Sequence, residues 1–362
     1  MKVAIFQTNL KIGGIQRSLL SMLKSEVFNS HSVDLFLTTK EQDFCISDLP
    51  NNVTVREIRD FPRFYKAVPF TFAYRLAVEK ASRIESTYDL AIDFDGYSFA
   101  TAFYSIFVKA NKRVIWIHSD YYERMKYDKK FALMLYMFKN KYRFFDRFVA
   151  VSKGAAFSAF RLFGLDQNRI SVIPNWIAVN DIKRKSQITV ELEIPSDKVN
   201  IICVGRLDRA KNPIGAVKDF EKAILMGADS RLYFLGKGSQ GKAIEKYIKS
   251  KGLENRVKLL GEVKNPYPYI ARMDALLLDS LYEGQGVVLR EAQFLGLNLV
   301  FPKRLEKYNE GLKGVEDVPR ALYGLKKRAR NQDFESLDKY NRDVYRLLKK
   351  MLIWAEYGRT EQ

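Results

Sequence analysis

Short apolar runs alternate with longer amphipathic stretches along the whole chain, and this pattern predicts parallel sheets joined by crossover helices. In the first half, strands are predicted at Lys2–Gln7, Ser32–Thr38, Val53–Ile58, Leu90–Phe94, Val114–His118, Arg147–Ser152 and Ile170–Ile173. Helical spacing occupies the gaps, for example at Gly14–Leu23, Phe72–Glu85 and Tyr122–Tyr142. The polar segment from Pro174 to Val199, with Lys183-Arg-Lys-Ser-Gln187, reads as a link. A second series of strands follows at Asn200–Val204, Arg231–Leu235, Val257–Leu260, Ala275–Leu278 and Leu299–Phe301, with helices at Ile214–Leu225 and Lys242–Lys251. A basic, aromatic helix over about Phe334–Tyr357 ends the pattern. The expected fold class is α/β: two Rossmann-like, doubly wound domains facing a central cleft at the carboxyl ends of their strands.

Composition narrows this picture. A length of 362 residues suggests two domains, and 47% apolar content excludes wholesale disorder. No apolar run approaches the roughly 18 residues needed to cross a bilayer. The opening Met1-Lys-Val-Ala-Ile-Phe-Gln7 lacks a signal-peptide pattern, and Cys45 and Cys203 are too few for a disulfide framework. A reducing cytoplasm is therefore the expected compartment. The net charge of +19 asks for an anionic partner: nucleic acid, a membrane surface or a phosphorylated substrate. Charge alone does not choose among them, but no zinc-ligand pairs, ribonucleoprotein aromatic motif or basic low-complexity tail accompanies it, so nucleic acid is not expected.

Candidate chemistry concentrates in Ser280-Leu-Tyr-Glu-Gly-Gln-Gly-Val-Val-Leu-Arg-Glu-Ala-Gln-Phe-Leu-Gly296. The apolar run at Ala275–Leu278 leads into a glycine turn, Glu283-Gly284-Gln-Gly286, and then into helical spacing from Val287 to Leu295. Strand, glycine turn and helix N-terminus together make an anion site, because backbone N–H groups and the positive end of the helix dipole face the ligand. Glu291, about one turn into the helix, suits ribose hydroxyls, and Glu283, in the turn, suits those of a second sugar. Each acid alone would be an ordinary surface or capping residue. A second strand end, Gly205-Arg-Leu-Asp-Arg-Ala-Lys211, places Arg206 and Lys211 where both can reach a diphosphate, or where both are simply solvated loop cations. Gly13-Gly14 opens a helix after the first strand but lacks the Gly-x-Gly-x-x-Gly pattern of nicotinamide-cofactor sites.

These features resemble the two-glutamate motif of retaining glycosyltransferases of family 4, which have the GT-B fold. Val204–Asn212, Leu235-Gly-Lys-Gly238 and the Glu283/Glu291 segment carry the likeness, with weaker support from Gly13-Gly14 and Ile173-Pro-Asn175. One departure is clear: the family's Gly-x-Pro and small-residue loop after the second glutamate is replaced by Gly296-Leu-Asn298 and Phe301-Pro-Lys-Arg304. The resemblance implies an acceptor domain over 1–180, a donor domain over 196–332 and a final helix, 333–362, crossing back to the first. It implies a nucleoside-diphosphate hexose donor, favoured as UDP-linked, and a lipid-linked or oligosaccharide acceptor in bacterial capsule, exopolysaccharide or lipopolysaccharide assembly. Its donor-binding set maps onto Gly13, Gly14, Gly205, Arg206, Lys211, Gly236, Glu283, Gly284, Gly286, Val287, Val288 and Glu291, and its catalytic set onto Glu283, His118, Arg206 and Lys211. His118 ends a strand and would sit by the transferred sugar; otherwise it is a satisfied strand-end histidine.

No cofactor or metal is expected, since protein cations would neutralise the diphosphate and the chain has two histidines. Asp93-Phe-Asp95 looks like the metal-chelating pair of GT-A enzymes, but beside metal-free GT-B motifs it reads as a pair of turn acids or an acceptor-side loop. Cations and aromatics interleave over Lys126–Arg147 and again at Pro62-Arg-Phe-Tyr-Lys66. Such a helix suits peripheral attachment to the anionic inner face of a membrane, and equally suits an ordinary crossover packed on its sheet. Two other functions compete: a GT-B-type nucleotide-sugar 2-epimerase, which needs further acids and histidines, and a non-enzymatic protein binding an anionic membrane or nucleic acid, which leaves the phosphate-loop residues without a task.

Overall fold

The computed structural model describes residues 1–39, 41, 43, 49–58, 75, 78–79, 84–328 and 334–358, with backbone alone at 334–336. The predicted basic cluster Pro62–Lys66 lies outside these residues, as does most of the predicted helix Phe72–Glu85. The chain divides into two compact units, Met1–Ala178 with Asn341–Gln362, and Val179–Tyr340.

The first unit is built on seven parallel strands: β1 (Lys2–Gln7), β2 (Ser32–Leu37), β3 (Val53–Glu57), β4 (Tyr88–Asp93), β5 (Ala110–Ile117), β6 (Arg147–Ala150) and β7 (Ile170–Val172). Their order is β3-β2-β1-β4-β5-β6-β7. Ile5 of β1 pairs with Leu35 on one side and Ile92 on the other, and all three are fully buried, as strands covered on both faces require. The second unit holds β8 (Val199–Val204), β9 (Ser230–Leu235), β10 (Val257–Gly261), β11 (Ala275–Leu277) and β12 (Asn298–Val300) in the order β10-β9-β8-β11-β12, again parallel throughout. Both sheets are thus doubly wound. Strand order reverses between β1 and β4 in one and between β8 and β11 in the other, and such a reversal opens a crevice at the strands' carboxyl ends.

Helices cover the sheets where the sequence spacing turns apolar residues inward. Helix 213–225 begins with Pro213, whose missing N–H costs nothing in the first turn, and buries Ala216, Val217, Phe220 and Ala223 against Ile201, Leu232 and Leu277. In the first unit, the last helix buries Leu348, Met351, Leu352 and Ala355. Its Trp354 ring lies under Lys112 at 5.5 Å and Arg147 at 4.4 Å. Asn341 donates to the Ile177 carbonyl at 2.9 Å and accepts the Ile177 N–H at 3.2 Å.

Two expectations about local structure change. The continuous helix predicted over Tyr122–Tyr142 is three pieces: helices Tyr121–Tyr127 and Lys129–Phe138, then a 3-10 turn over Lys139–Phe144. Asp128 breaks it, leaving helical dihedrals to cap the next helix by accepting the Phe131 N–H at 2.9 Å. The segment read as a polar link contains a helix, Val179–Ser186, pinned by buried Ile182 and by Asp181 paired with Arg184 and Lys185 one turn on.

Phe220 sits at the centre of the second unit's core, so Phe220→Ala should cost about 3–5 kcal/mol through lost contacts and a residual cavity. Denaturant unfolding should show a lower midpoint for the second unit; an unchanged midpoint would contradict this placement of the core.

Candidate functional site at a strand-order reversal

The second unit brings two loops together where β8 and β11 end side by side. After β8 the chain runs through Gly205 and Arg206 into a 3-10 turn at Arg209–Lys211, capped by Asp208, whose Oδ1 accepts the Lys211 N–H at 3.2 Å. Asn212 then takes φ of 48°, a conformation that Asn tolerates better than most residues. After β11 the chain runs through Asp279 and Ser280 to the Glu283 turn and the helix Val287–Phe294. Three direct bonds join the loops. Lys211 Nζ donates to Glu283 Oε1 at 2.6 Å, Asn212 Nδ2 to Asp279 Oδ2 at 2.7 Å, and the Leu281 N–H to the Ala210 carbonyl at 2.8 Å. Ser280 Oγ also donates to Glu283 Oε1 at 2.6 Å. Gly236, at the end of β9, is obligatory: a Cβ there would lie 2.0 Å from the Gly205 carbonyl oxygen. A small open recess lies beside Lys211, lined by Gly205, Arg206, Lys211, Leu278 and Asp279 among others, with Glu283 outside its lining.

The remaining donor-site candidates occupy different settings. Arg206 is largely exposed, its side chain paired with Asp208 at 3.2 Å, an arrangement that holds it weakly. Glu291 is buried within the helix and accepts a hydrogen bond from the Tyr267 hydroxyl at 2.8 Å. Val287 and Val288 open that helix, after Gly284 and Gly286. The Gly286 N–H donates to Asn309 Oδ1 at 3.1 Å, so this amide of the glycine turn faces Asn309 and not an incoming anion. Asp279 is buried, which pushes its carboxyl above the ordinary value; Arg304 beside it opposes that rise.

The first unit holds the other candidates. Gly13 precedes and Gly14 begins the helix Gly14–Leu23, with the Gln16 side chain folded over Gly13. His118 follows β5, its ring 4.6 Å from that of Phe94. Burial pushes the imidazole down to about 3, partly offset by a hydrogen bond to the Phe94 backbone, so the ring is neutral at physiological pH. Asp93 and Asp95 are both buried at the end of β4. Asp93 accepts the Gly96 N–H at 3.2 Å, and Asp95 accepts from the Thr8 hydroxyl and from the Thr8 N–H at 3.2 Å. The neighbouring charge is Lys141, buried and donating to the carbonyls of Gly96 at 3.2 Å and Ser98 at 3.3 Å. Among the described residues no group of three or more His, Cys, Asp or Glu is placed to hold a metal ion.

Asp279, Ser280, Asn212, Tyr267, Arg304 and Asn309 were not singled out in the sequence. Ser280 lies three positions before Glu283, an ordinary turn spacing, and offered a weak signal. Asp279 lies on the same loop, four positions before Glu283, while Asn212, Tyr267, Arg304 and Asn309 meet their partners from 23 or more positions away, where no local pattern points to them.

Comparison with known proteins bears on the family and the fold. Residues 12–181 match the model described as Glycosyltransferase Family 4, and residues 184–306 match Glycosyl transferases group 1. An uncharacterized glycosyltransferase of Methanocaldococcus jannaschii is 22% identical over 192 residues, 52% of this chain and 47% of that protein. The N-acetylgalactosamine-N,N'-diacetylbacillosaminyl-diphospho-undecaprenol 4-alpha-N-acetylgalactosaminyltransferase of Campylobacter jejuni is 30% identical over 147 residues, 41% of this chain and 38% of that protein. The chain thus spans less than half the length of these curated relatives. The crystal structure of Anabaena HepE with UDP and glucose has the same fold, with a TM-score of 0.64 and 18% identity over 100% of this chain and 96% of that one.

The Asp93 carboxyl is raised to about 7, chiefly by burial, against the opposing pull of Lys141. Its folded value exceeds its unfolded one, so the native state holds this proton more tightly and loses stability as pH rises from about 4 to about 7. Asp93→Asn removes that dependence. Relative to wild type, the variant should gain about 1 kcal/mol per pH unit across this window in denaturant unfolding; a difference independent of pH would contradict the assignment.

Proposed function

We propose that the chain, which matches glycosyltransferase models over 12–181 and 184–306 and has the GT-B fold, moves a hexose, with retention of anomeric configuration, from a nucleoside-diphosphate sugar to a lipid-linked or oligosaccharide acceptor. The observation that carries this reading is the Lys211–Glu283–Ser280 cluster at the reversal between β8 and β11, where a cation that lines the recess is bonded to a buried carboxylate. Lys211 and the exposed fork of Arg206 neutralise the departing diphosphate, which is electrostatic stabilisation of charge as it develops. Glu283 orients the sugar through its hydroxyls and Glu291 takes the ribose. His118, neutral at its strand end, serves the transferred sugar as a hydrogen-bonding group and not as a charge. Retention follows if the departing phosphate accepts the proton of the acceptor hydroxyl on the same face of the ring. The UDP in HepE and the diphospho-undecaprenol named for the Campylobacter relative support a UDP-linked donor, a polyprenyl-diphosphate acceptor and a role in bacterial surface polysaccharide assembly.

With two cations at the diphosphate, turnover requires no divalent metal in this reading. Lys211→Ala should lower kcat/KM for the donor about 10²–10³-fold, the range for losing one transition-state donor. Wild-type turnover of a panel of UDP-sugars with extracted lipid acceptor should survive excess chelator. Loss of activity restored by manganese would overturn the metal-free mechanism, and an unaffected Lys211→Ala enzyme would overturn the site.

Attachment to an anionic membrane is the second element of the proposal. Residues 109–169 hold 14 Lys and Arg against 5 Asp and Glu, a net +9 of the total +19. Leu133, Tyr136, Met137 and Phe144 are exposed in the same region, interleaved with exposed Lys129, Lys130, Lys139 and Arg143. Lys141, expected on that surface, is buried and bonded inward, so it is excluded from the docking face. Among the described residues no helix is long and apolar enough to cross a membrane, and attachment through this face is peripheral. Each cation near such a surface is worth about 1 kcal/mol and is screened over about 8 Å at physiological salt. Changing Lys129, Lys130 and Lys139 to Glu should abolish sedimentation with anionic vesicles while UDP-sugar hydrolysis persists; normal cosedimentation would assign the basic excess elsewhere.

A further inference from the structure

The family's small-residue loop after the second glutamate is replaced here by a segment of different chemistry, and that segment grips the Glu283 turn. Beyond β12 the chain passes Pro302 into a 3-10 turn over Lys303–Tyr308. The turn is itself well fastened: the Lys303 N–H reaches the Val315 carbonyl at 3.0 Å, the Val315 N–H reaches the Phe301 carbonyl at 2.8 Å, and the Gly314 N–H reaches Glu306 Oε1 at 2.8 Å. From this base the Arg304 guanidinium meets three acceptors on the neighbouring loop. Nη2 donates to Asp279 Oδ1 at 2.5 Å and to the Asp279 carbonyl at 2.8 Å, and Nε donates to the Ser280 carbonyl at 3.1 Å. A planar fork suits this set, whereas a single ammonium cannot span it. Five positions on, Asn309 holds the other end of the same turn by accepting the Gly286 N–H.

We propose that Arg304 is a positioning residue for sugar transfer: by fixing the backbone at Asp279 and Ser280 it sets where Ser280 Oγ and Lys211 Nζ hold the Glu283 carboxylate. This inference rests on the proposed role of Glu283 at the sugar. The path is short and continuous. Arg304 fixes two carbonyls, the second belongs to Ser280, and the Ser280 hydroxyl is 2.6 Å from the carboxylate oxygen that Lys211 also contacts. Asp279, buried between Arg304 and Asn212, ties the same junction to the loop that carries Lys211. Lys211 also has an independent support, the Asp208 cap on its own N–H, so loss of Arg304 disturbs the carboxylate more than the cation. Displacing a substrate-orienting group by about 1 Å can cost about 10²-fold in rate.

The test compares wild type, Arg304→Gln, Arg304→Lys, Glu283→Gln and the Arg304→Gln/Glu283→Gln double variant. Affinity for UDP is measured by calorimetry, thermal unfolding is measured alongside, and kcat is measured on UDP-glucose, UDP-galactose and UDP-N-acetylglucosamine. Arg304→Gln should lower kcat at least tenfold while UDP affinity stays within threefold, Arg304→Lys should recover part of the loss, and Arg304→Gln should cost nothing further on top of Glu283→Gln. Wild-type kcat in a folded Arg304→Gln protein overturns the inference, as do additive losses in the double variant. A joint fall of UDP affinity, kcat and melting temperature in both Arg304 variants overturns it in favour of a general scaffold role. If wild type turns over none of these sugars and no other nucleotide sugar, the functional reading itself fails and the inference with it.

Discussion

The contact between Lys211 and Glu283 is the constraint around which the second unit's site is arranged. A carboxylate this well buried is costly unless it is paired and hydrogen-bonded, and here one oxygen receives both an ammonium and a hydroxyl. Satisfying it demands that the loops after β8 and β11 stay in register. The Leu281–Ala210 backbone bond and the Asn212–Asp279 bond keep them so. The same requirement accounts for the αL conformation of Asn212, which brings its amide to Asp279, and for Gly236, which lets β9's continuation pass the Gly205 carbonyl. In the proposed function, Lys211 is thus held in place by the carboxylate in advance of the diphosphate it would meet.

The first unit solves a similar problem differently. At the end of β4, Asp93 and Asp95 are engaged by backbone, by Thr8 and by the charge of buried Lys141, so the pair is absorbed into the protein's own structure. Lys141 comes from the segment that also presents the exposed aromatic and basic residues. One turn of 3-10 helix thus separates a cation that stabilises the β4 end from cations that face solvent. The strand ends of the two units differ in charge: a neutral His118 and protein-bound acids in one, and a cation beside a recess in the other.

Much of the fold is legible in the sequence because parallel strands buried on both faces must be written as short apolar runs. β1 and the helix Gly14–Leu23 are read to the residue, the last helix at its approximate bounds, and the strands to within a few positions. The misreadings have local causes. Asp128 caps a new helix in the middle of an apparently continuous periodicity, and Val179–Ser186 is helical through ion pairs and one buried isoleucine within a polar stretch. Lys141 reads as a surface cation because periodicity does not reveal that a 3-10 turn redirects it inward. At the site, Lys211, Glu283 and Glu291 stand out because each lies beyond an apolar strand with glycines close by. Arg304, Tyr267 and Asn309 do not, since their partners are chosen by the packing of loops distant in sequence.

The central claim is that these two loops receive the nucleotide diphosphate. Amide hydrogen exchange followed by mass spectrometry, with and without UDP, tests it most directly, because exchange reports where ligand binding suppresses local opening. The account predicts that UDP slows exchange in peptides spanning 204–213 and 279–292, the loops joined by Lys211 and Glu283. Protection confined to peptides of the first unit, or no protection in these loops at saturating UDP, would contradict it.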